Sequence, residues 1–139
     1  MAIPSRWDDG KPRFKHDETP RVAARHQRRK AASEALEAAY ADVDVRDGGF
    51  CWVTGRYTQS GAPDARVRRE HHHLQPRSTA PELRESPHNI ITTCAEAHAL
   101  ITNGWIVVEG TDARKAIRFH WRADVKPSMR PFQIRSRRS

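Results

Sequence analysis

The pattern of apolar and polar positions predicts a long helix at the start of the chain. Residues 19–47 are rich in Ala, Arg, Glu and Leu, and they contain neither Gly nor any Pro beyond Pro20. Thr19 before Pro20 is a typical helix start, and Gly48-Gly49 is a typical helix end. Four apolar side chains recur at helical spacing in the second half: Leu36, Ala39, Tyr40 and Val43. We therefore predict a helix over 19–47 whose second half docks on a core.

The region after the helix has the pattern of short strands and one short helix. β-branched and aromatic residues mark the strands, and Pro and Gly mark the connections. Thr93 followed by Glu96 matches a capping box, which predicts the helix start. The predicted elements are strands at 50–53 and 67–74, a loop at 75–88, a helix at 94–102, and a hairpin of strands at 105–108 and 116–121.

The two ends of the chain lack apolar periodicity. Residues 1–18 mix Pro, Gly and charged side chains, and residues 123–139 are rich in Arg. Segments of this composition rarely bury enough apolar surface to offset the entropy lost on ordering. We therefore expect a flexible basic arm at 1–18, a disordered basic tail at 123–139, and one small α+β domain at 48–122.

The net charge of +8 is unevenly distributed. Residues 1–30 carry nine Lys and Arg against four Asp and Glu, and residues 114–139 carry nine against one. Residues 31–113 carry seven against twelve, so the middle of the chain is acidic. Basic ends suit attraction to a phosphate backbone, which makes DNA, or RNA, the expected partner. The same charge also fits tails that only aid solubility.

Two features of the sequence indicate the cellular compartment. No apolar run approaches the roughly 20 residues that a membrane span needs, and the N-terminus lacks the apolar stretch of a secretory signal. The two cysteines, Cys51 and Cys94, are too few for a disulfide framework. We therefore expect a soluble, cytoplasmic protein with reduced thiols.

Side chains capable of metal binding and proton transfer concentrate in the middle of the chain. Three successive histidines end the second predicted strand at His73, Asn89 follows the loop, and His98 lies in the predicted helix. If these segments meet, two imidazoles can hold a divalent cation that stabilises a leaving alkoxide. A third, neutral imidazole can take a proton from an attacking water. Taken singly, the histidines are better explained as exposed polar or capping residues, and Asn89 could simply be a turn residue.

The joint spacing resembles the HNH endonuclease family, over about residues 50–121. The matching motifs are Glu70-x-His72-His73-Leu74-x-Pro76-Arg77-Ser78 and Asn89-Ile90-Ile91-Thr92-x-Cys94-x-x-x-His98. The resemblance implies a β-β-α-metal core, preceded here by the helix and extended by the C-terminal hairpin. It implies His73 as general base, His72 and His98 as metal ligands, and Arg77 as a phosphate contact. Asn89 would either brace the loop that presents the base or join the metal shell.

The chain departs from the family at two places. Many members bind a structural zinc with two Cys-x-x-Cys pairs, but Thr54 and Ala97 stand where the second cysteines would follow Cys51 and Cys94. We therefore expect no structural zinc and both thiols in the core. Many members also carry a histidine where this chain has Thr102. Two protein ligands favour loosely held Mg²⁺ or Mn²⁺ over Zn²⁺ or Ni²⁺.

Two classes of function follow from these features. The first is an HNH endonuclease that hydrolyses DNA phosphodiester bonds, as in the small free-standing HNH proteins of phages and mobile elements. The second is a non-catalytic nucleic-acid-binding protein with the same fold, or a structural part of a nucleoprotein assembly. The presence of His72, His73, Asn89 and His98 together favours the enzyme. Pro76 sets a register that leaves His71 outside the pair, but a one-residue shift within the three histidines would exchange their roles.

Overall fold

The computed structural model describes residues 19–135 of the chain. The predicted arm at 1–18 and the last four residues of the predicted tail lie outside the described residues. In the described part, the helices and strands are α1 (Pro20–Asp47), β1 (Arg69–His73), β2 (Ile90–Cys94), α2 (Ala95–Thr102), β3 (Ile106–Glu109) and β4 (Arg118–Trp121). β1 pairs with β2 and β3 with β4, both antiparallel, so the general α+β class is confirmed.

The first part of α1 belongs to a unit of its own, because the chain divides into compact units at residues 1–34 and 35–139. The Thr19 hydroxyl accepts a hydrogen bond from the Val22 N–H at 3.4 Å, which confirms Thr19 as the N-cap. Nearly all side chains of the segment up to residue 34 are exposed. Neither helix of the described part has the length and apolar character required to cross a membrane.

The second part of α1 packs on β2. Ala39 and Val43 are buried against Ile90, and Leu36 and Tyr40 pack around them, which confirms the predicted docking face. Full burial of an aliphatic side chain such as Val43 contributes about 1.5–3 kcal/mol.

Charged residues at the C-terminal end of α1 also contact β2. The Asp47 carboxylate accepts from the Thr92 N–H at 3.1 Å, and the Arg46 guanidinium donates to the Ile90 carbonyl at 2.7 Å. The helix stops at Gly48, whose φ of 61° lies in the left-handed region that favours glycine.

Strand β2 was missing from the sequence prediction. All five of its residues are buried, and it pairs along its whole length with β1, from Arg69 opposite Cys94 to His73 opposite Ile90. A strand buried on both faces shows no alternation of apolar and polar residues, so the period-two signal is absent. β1 itself is shorter than the predicted 67–74.

The predicted capping box at the start of α2 is wrong, although the predicted helix bounds are close to those observed. The N-cap is Cys94, whose Sγ accepts from the Ala97 N–H at 3.4 Å. Thr93 is held in β2 by its pairing with Glu70, so its hydroxyl does not cap the helix. Glu96 forms an ion pair with Arg56 at 3.4 Å instead.

The predicted strand at 50–53 is a tight turn. Phe50 forms only an isolated bridge with Tyr57, and the Gly55 N–H donates to the Cys51 carbonyl at 2.9 Å. The apolar character that suggested a strand arises because Cys51, Trp52 and Val53 of this turn are part of the main hydrophobic core, whereas Phe50 is exposed.

The prediction of disorder is wrong for residues 123–135. The Phe132 ring packs on Trp121 with 5.3 Å between centroids, and the Arg135 N–H donates to the Val53 carbonyl at 2.8 Å. The segment is rich in Arg, but its few apolar side chains reach the core. Average composition therefore misjudged it.

Candidate active site

The histidines of β1 face two sides of the strand. Because successive strand residues point to opposite faces, Glu70 and His72 share one side and His71 and His73 share the other. His72 faces α2, whereas His71 and His73 face α1. The three consecutive histidines therefore lie in two different environments, one beside α2 and one beside α1.

His72 and His98 lie side by side on the α2 side. Their ring centroids are 5.4 Å apart at an interplanar angle of 71°. His98 Nδ1 is 2.8 Å from Glu70 Oε2. An ionised carboxylate only accepts, so Nδ1 carries the proton and donates, and Nε2 of His98 keeps its lone pair. This is the arrangement by which a carboxylate orients a metal-binding histidine.

The environment of His72 keeps it neutral. Burial, together with the nearby His98 and His73, lowers the pKa of His72 to about 4. At neutral pH its imidazole therefore carries no charge, which is the form that binds metal ions.

His73 has a defined tautomer on the other side of the strand. Its Nε2 lies 2.9 Å from the Arg84 carbonyl oxygen, which can only accept, so Nε2–H donates, and in the neutral form of the ring Nδ1 carries the lone pair. A neutral imidazole with a free ring nitrogen can take a proton. The Tyr40 ring contacts His73 edge-on, with 6.2 Å between centroids.

Asn89 fastens the loop between β1 and β2. Its side chain accepts from the Gln75 N–H at 2.8 Å and donates to the carbonyls of Gln75 at 3.0 Å and Leu83 at 3.3 Å. The residue is only 2% exposed. Leu83 immediately precedes Arg84, so Asn89 holds the backbone that bonds His73. The geometry supports the bracing role rather than a place in a metal shell.

The two other residues of the motif region lie apart from the His72–His98 pair. His71 bonds Asp44 at 2.7 Å and stacks on Tyr40. Arg77 is exposed in the loop that follows β1. His71 is therefore engaged on the opposite face from His98, whereas Arg77 is free to meet a ligand from solvent.

Solvent reaches the site from the side of α2. A cleft of about 630 Å³ is lined by His98, Glu70, Arg68 and Asn103, among others. Within residues 19–135, no group of three or more His, Cys, Asp or Glu side chains is arranged to hold a metal ion.

The two cysteines pack against each other in the core. Cys51 and Cys94 are both buried, as expected, and the Thr54 N–H approaches Cys51 Sγ at 3.5 Å. The contact between the thiols lowers the pKa of Cys51 and raises that of Cys94.

Sequence reasoning missed three contributors to the site. Glu70 was quoted in the motif without a role, although its position two residues before His72 on a strand signals a shared face. Tyr40 was predicted only as a docking residue. The Arg84 carbonyl has no sequence signal, because backbone oxygens are common to all residues.

No family model, curated protein or solved structure matches the chain. The resemblance to the HNH family therefore rests on the quoted motif residues alone.

Proposed function

We propose that this protein is an HNH-type endonuclease that hydrolyses DNA phosphodiester bonds with one divalent metal ion and His73 as general base. The observation that carries the proposal is the His72–His98 pair, with Glu70 bonded to the second nitrogen of His98. His72 and His98 would hold the metal ion, and His73, the next residue along the strand, has a ring nitrogen that can accept a proton. Phosphodiester hydrolysis needs both of these functions.

The donor set fits a divalent cation. His72 is neutral at pH 7, and His98 has Nε2 available because Nδ1 is bonded to Glu70. Two protein ligands leave positions for water and phosphate oxygens, which suits Mg²⁺ or Mn²⁺. Imidazole nitrogens also suit Ni²⁺ and Zn²⁺, so these are the alternatives. When bound, the cation would supply charge stabilisation for the phosphate and the leaving oxygen.

The residues of the chain then divide the remaining work. His73 Nδ1 accepts a proton from the attacking water, and the Arg84 carbonyl stabilises the resulting imidazolium through its bond from Nε2–H. Asn89 keeps that carbonyl in place by bonding the preceding residue.

A basic stripe on α1 supports DNA as the partner. Arg21, Arg25, Arg28 and Arg29 fall within an arc of about 100° at 100° per residue. All four are exposed, and among the described residues none forms an ion pair. Such a row of guanidinium groups suits the phosphates of a nucleic-acid backbone.

The same stripe also supports the second candidate, a nucleic-acid-binding protein without catalysis, since it needs none of the histidines. A plasmid-nicking assay with Mg²⁺, Mn²⁺, Ni²⁺ or Zn²⁺, each with and without EDTA, separates the two. We expect EDTA-sensitive nicking that falls by about 10²–10⁴-fold in His73→Ala. The matched control is His120→Ala on β4, which should leave the rate unchanged. A folded protein that binds DNA but never nicks it would establish the binding role instead.

The contribution of the stripe can be measured separately. Replacing Arg25 and Arg28 with Gln should reduce the slope of log affinity against log salt by about 0.9 for each phosphate that is no longer neutralised. Lys30→Gln is the matched control, because Lys30 projects from the opposite side of the helix. An equal effect of the control would show that the stripe has no special role.

A further inference from the structure

A row of contacts joins α1 to the face of β1 that carries Arg69, His71 and His73. Arg69 lies 3.5 Å from Asp44, and His71 Nε2 lies 2.7 Å from the same carboxylate. The His71 ring is stacked on Tyr40, with 4.2 Å between centroids and 9° between planes. Tyr40 in turn meets His73 edge-on, at 6.2 Å and 66°. The proposed base is thus the last member of a continuous series that begins at Arg69.

The series follows from matching repeats in a helix and a strand. Tyr40 and Asp44 are four residues apart on α1, a rise of about 6 Å. His71 and His73 are two residues apart on β1, a rise of about 6.6 Å. Because these distances are nearly equal, helix residues one turn apart meet alternate residues on one face of the strand. Asp44 therefore contacts Arg69 and His71 near the start of β1, and Tyr40 contacts His71 and His73 near its end.

Burial restricts the movement of the side chains in this row. The side chain of His71 is 14% exposed and that of Arg69 is 16% exposed. Burial also raises the pKa of Tyr40, which keeps its ring neutral. His71 is fixed by its bond to Asp44, so the face of Tyr40 has one well-defined position, and the edge of Tyr40 limits the tilt of the His73 ring.

We propose that Tyr40, held in place by His71 and Asp44, is a positioning residue for His73. Two contacts then determine the orientation of the base: the bond from Nε2–H to the Arg84 carbonyl and the edge of Tyr40. His71, which falls outside the HNH motif, acts through Tyr40. The catalytic meaning of this inference rests on the proposed nuclease function, whereas the restriction of the His73 ring does not.

A purely structural role for Tyr40 makes a different prediction. Leu36 also anchors α1 to the core, one turn earlier, and forms no ring contact with a histidine. If Tyr40 only docks the helix, Leu36→Ala and Tyr40→Ala should act alike once their stabilities are matched. If it positions the base, only Tyr40→Ala should slow turnover of folded protein.

The kinetic test uses the full chain with saturating Mn²⁺ and plasmid DNA, well below the unfolding temperature of each variant. We expect Tyr40→Ala to lower kcat by about 10–100-fold with KM unchanged, because a small misplacement of a reacting group has effects of this size. Tyr40→Phe retains the ring and should restore kcat to within about twofold. Leu36→Ala should lower thermal stability and leave kcat within about twofold. Equal reductions of kcat in Leu36→Ala and Tyr40→Ala would overturn the inference.

The second test needs neither metal nor DNA. In NMR spectra of the free protein, the His73 Nε2 proton should be visible because its bond to Arg84 slows its exchange, and His73→Ala assigns it. We expect this resonance to weaken or vanish in Tyr40→Ala and to persist in Tyr40→Phe and Leu36→Ala. If Tyr40→Ala does not fold, Asp44→Ala replaces it, with the same expectation.

The two tests fail separately. A protein that never cuts DNA refutes the proposed nuclease function, yet loss of the His73 resonance in Tyr40→Ala would still support positioning of the ring. An unchanged resonance in Tyr40→Ala would overturn the positioning role, whatever the nuclease assay gives.

Discussion

The two antiparallel strand pairs in the described part of the chain each have a histidine–glutamate contact, but the two contacts differ in distance and exposure. Beside β1–β2, His98 Nδ1 is 2.8 Å from Glu70, with side chains 29% and 38% exposed. On β3–β4, His120 Nδ1 is 3.8 Å from Glu109, with side chains 49% and 58% exposed. The first pair has hydrogen-bond geometry and partial burial, whereas the second is a solvated surface pair.

The difference lies mainly in what surrounds each pair. The imidazole of His72 lies beside that of His98, and β2, which pairs with β1, is buried at every position. Among the described residues, His120 has no such aromatic neighbour. A histidine next to a glutamate is therefore not in itself a sign of a site. A neutral second histidine and a fully buried neighbouring strand, β2, distinguish the first strand pair.

The largest expected effect separates the two histidines in catalysis. His98→Ala removes one of two proposed metal ligands and should lower the nicking rate by about 10³-fold, since a bound metal supplies several kcal/mol of transition-state stabilisation. His120→Ala should leave the rate within about twofold. Rates are measured with Mn²⁺, after thermal unfolding confirms that both variants fold. Equal reductions in the two variants would remove the distinction between the hairpins.

A smaller effect is expected from the two glutamates. Glu70→Ala frees the ring of His98 and should weaken the activating metal by about 10–100-fold, with the rate recovered at higher metal concentration. Glu109→Ala should leave the metal titration unchanged. The measurement is the metal concentration that gives half-maximal nicking. A Glu70→Ala titration that overlays the wild-type curve would contradict the orienting role of this carboxylate.

The smallest effect concerns the dependence of stability on pH. The pKa of His72 is about 4 in the folded protein, below its ordinary value of 6.5, so the unfolded chain binds the proton first as pH falls. The contribution of His72 to the free energy of unfolding should therefore be fully present above about pH 6.5. It should decline toward pH 4, with a loss on the order of 1 kcal/mol at pH 5.5. His72→Gln should remove this component from urea unfolding curves, whereas His120→Gln should not. Parallel pH profiles for wild type and His72→Gln would show that His72 is not held neutral.

Local patterns predicted much of the fold. The long helix, its Thr19 cap and its docking residues were readable because propensity, capping and helical periodicity all act within a few residues. The β2 strand and the ordered segment at 123–135 were not readable. The first is buried on both faces and shows no alternation, and the second is held in part by a hydrogen bond to Val53, which lies far away in sequence.

The sequence selected candidate site residues, but it could not give their arrangement. Motif spacing singled out His72, His73, Asn89 and His98, but it could not state which side of the strand each imidazole faces. It left open whether Asn89 braces the loop, and the hydrogen bonds to Gln75 and Leu83 support that role. The importance of Tyr40 and Glu70 follows from packing that no short motif encodes.

The sequence by itself therefore determined the helix, the basic stripe and the set of candidate site residues, because each depends on residue type and local spacing. Only the tertiary structure decided which of these side chains meet. β1 turns His72 toward His98 and His73 toward Tyr40 because its register with β2 fixes its two faces. A shift of one residue would exchange them, and only the burial of β2 and the docking of α1 fix that register.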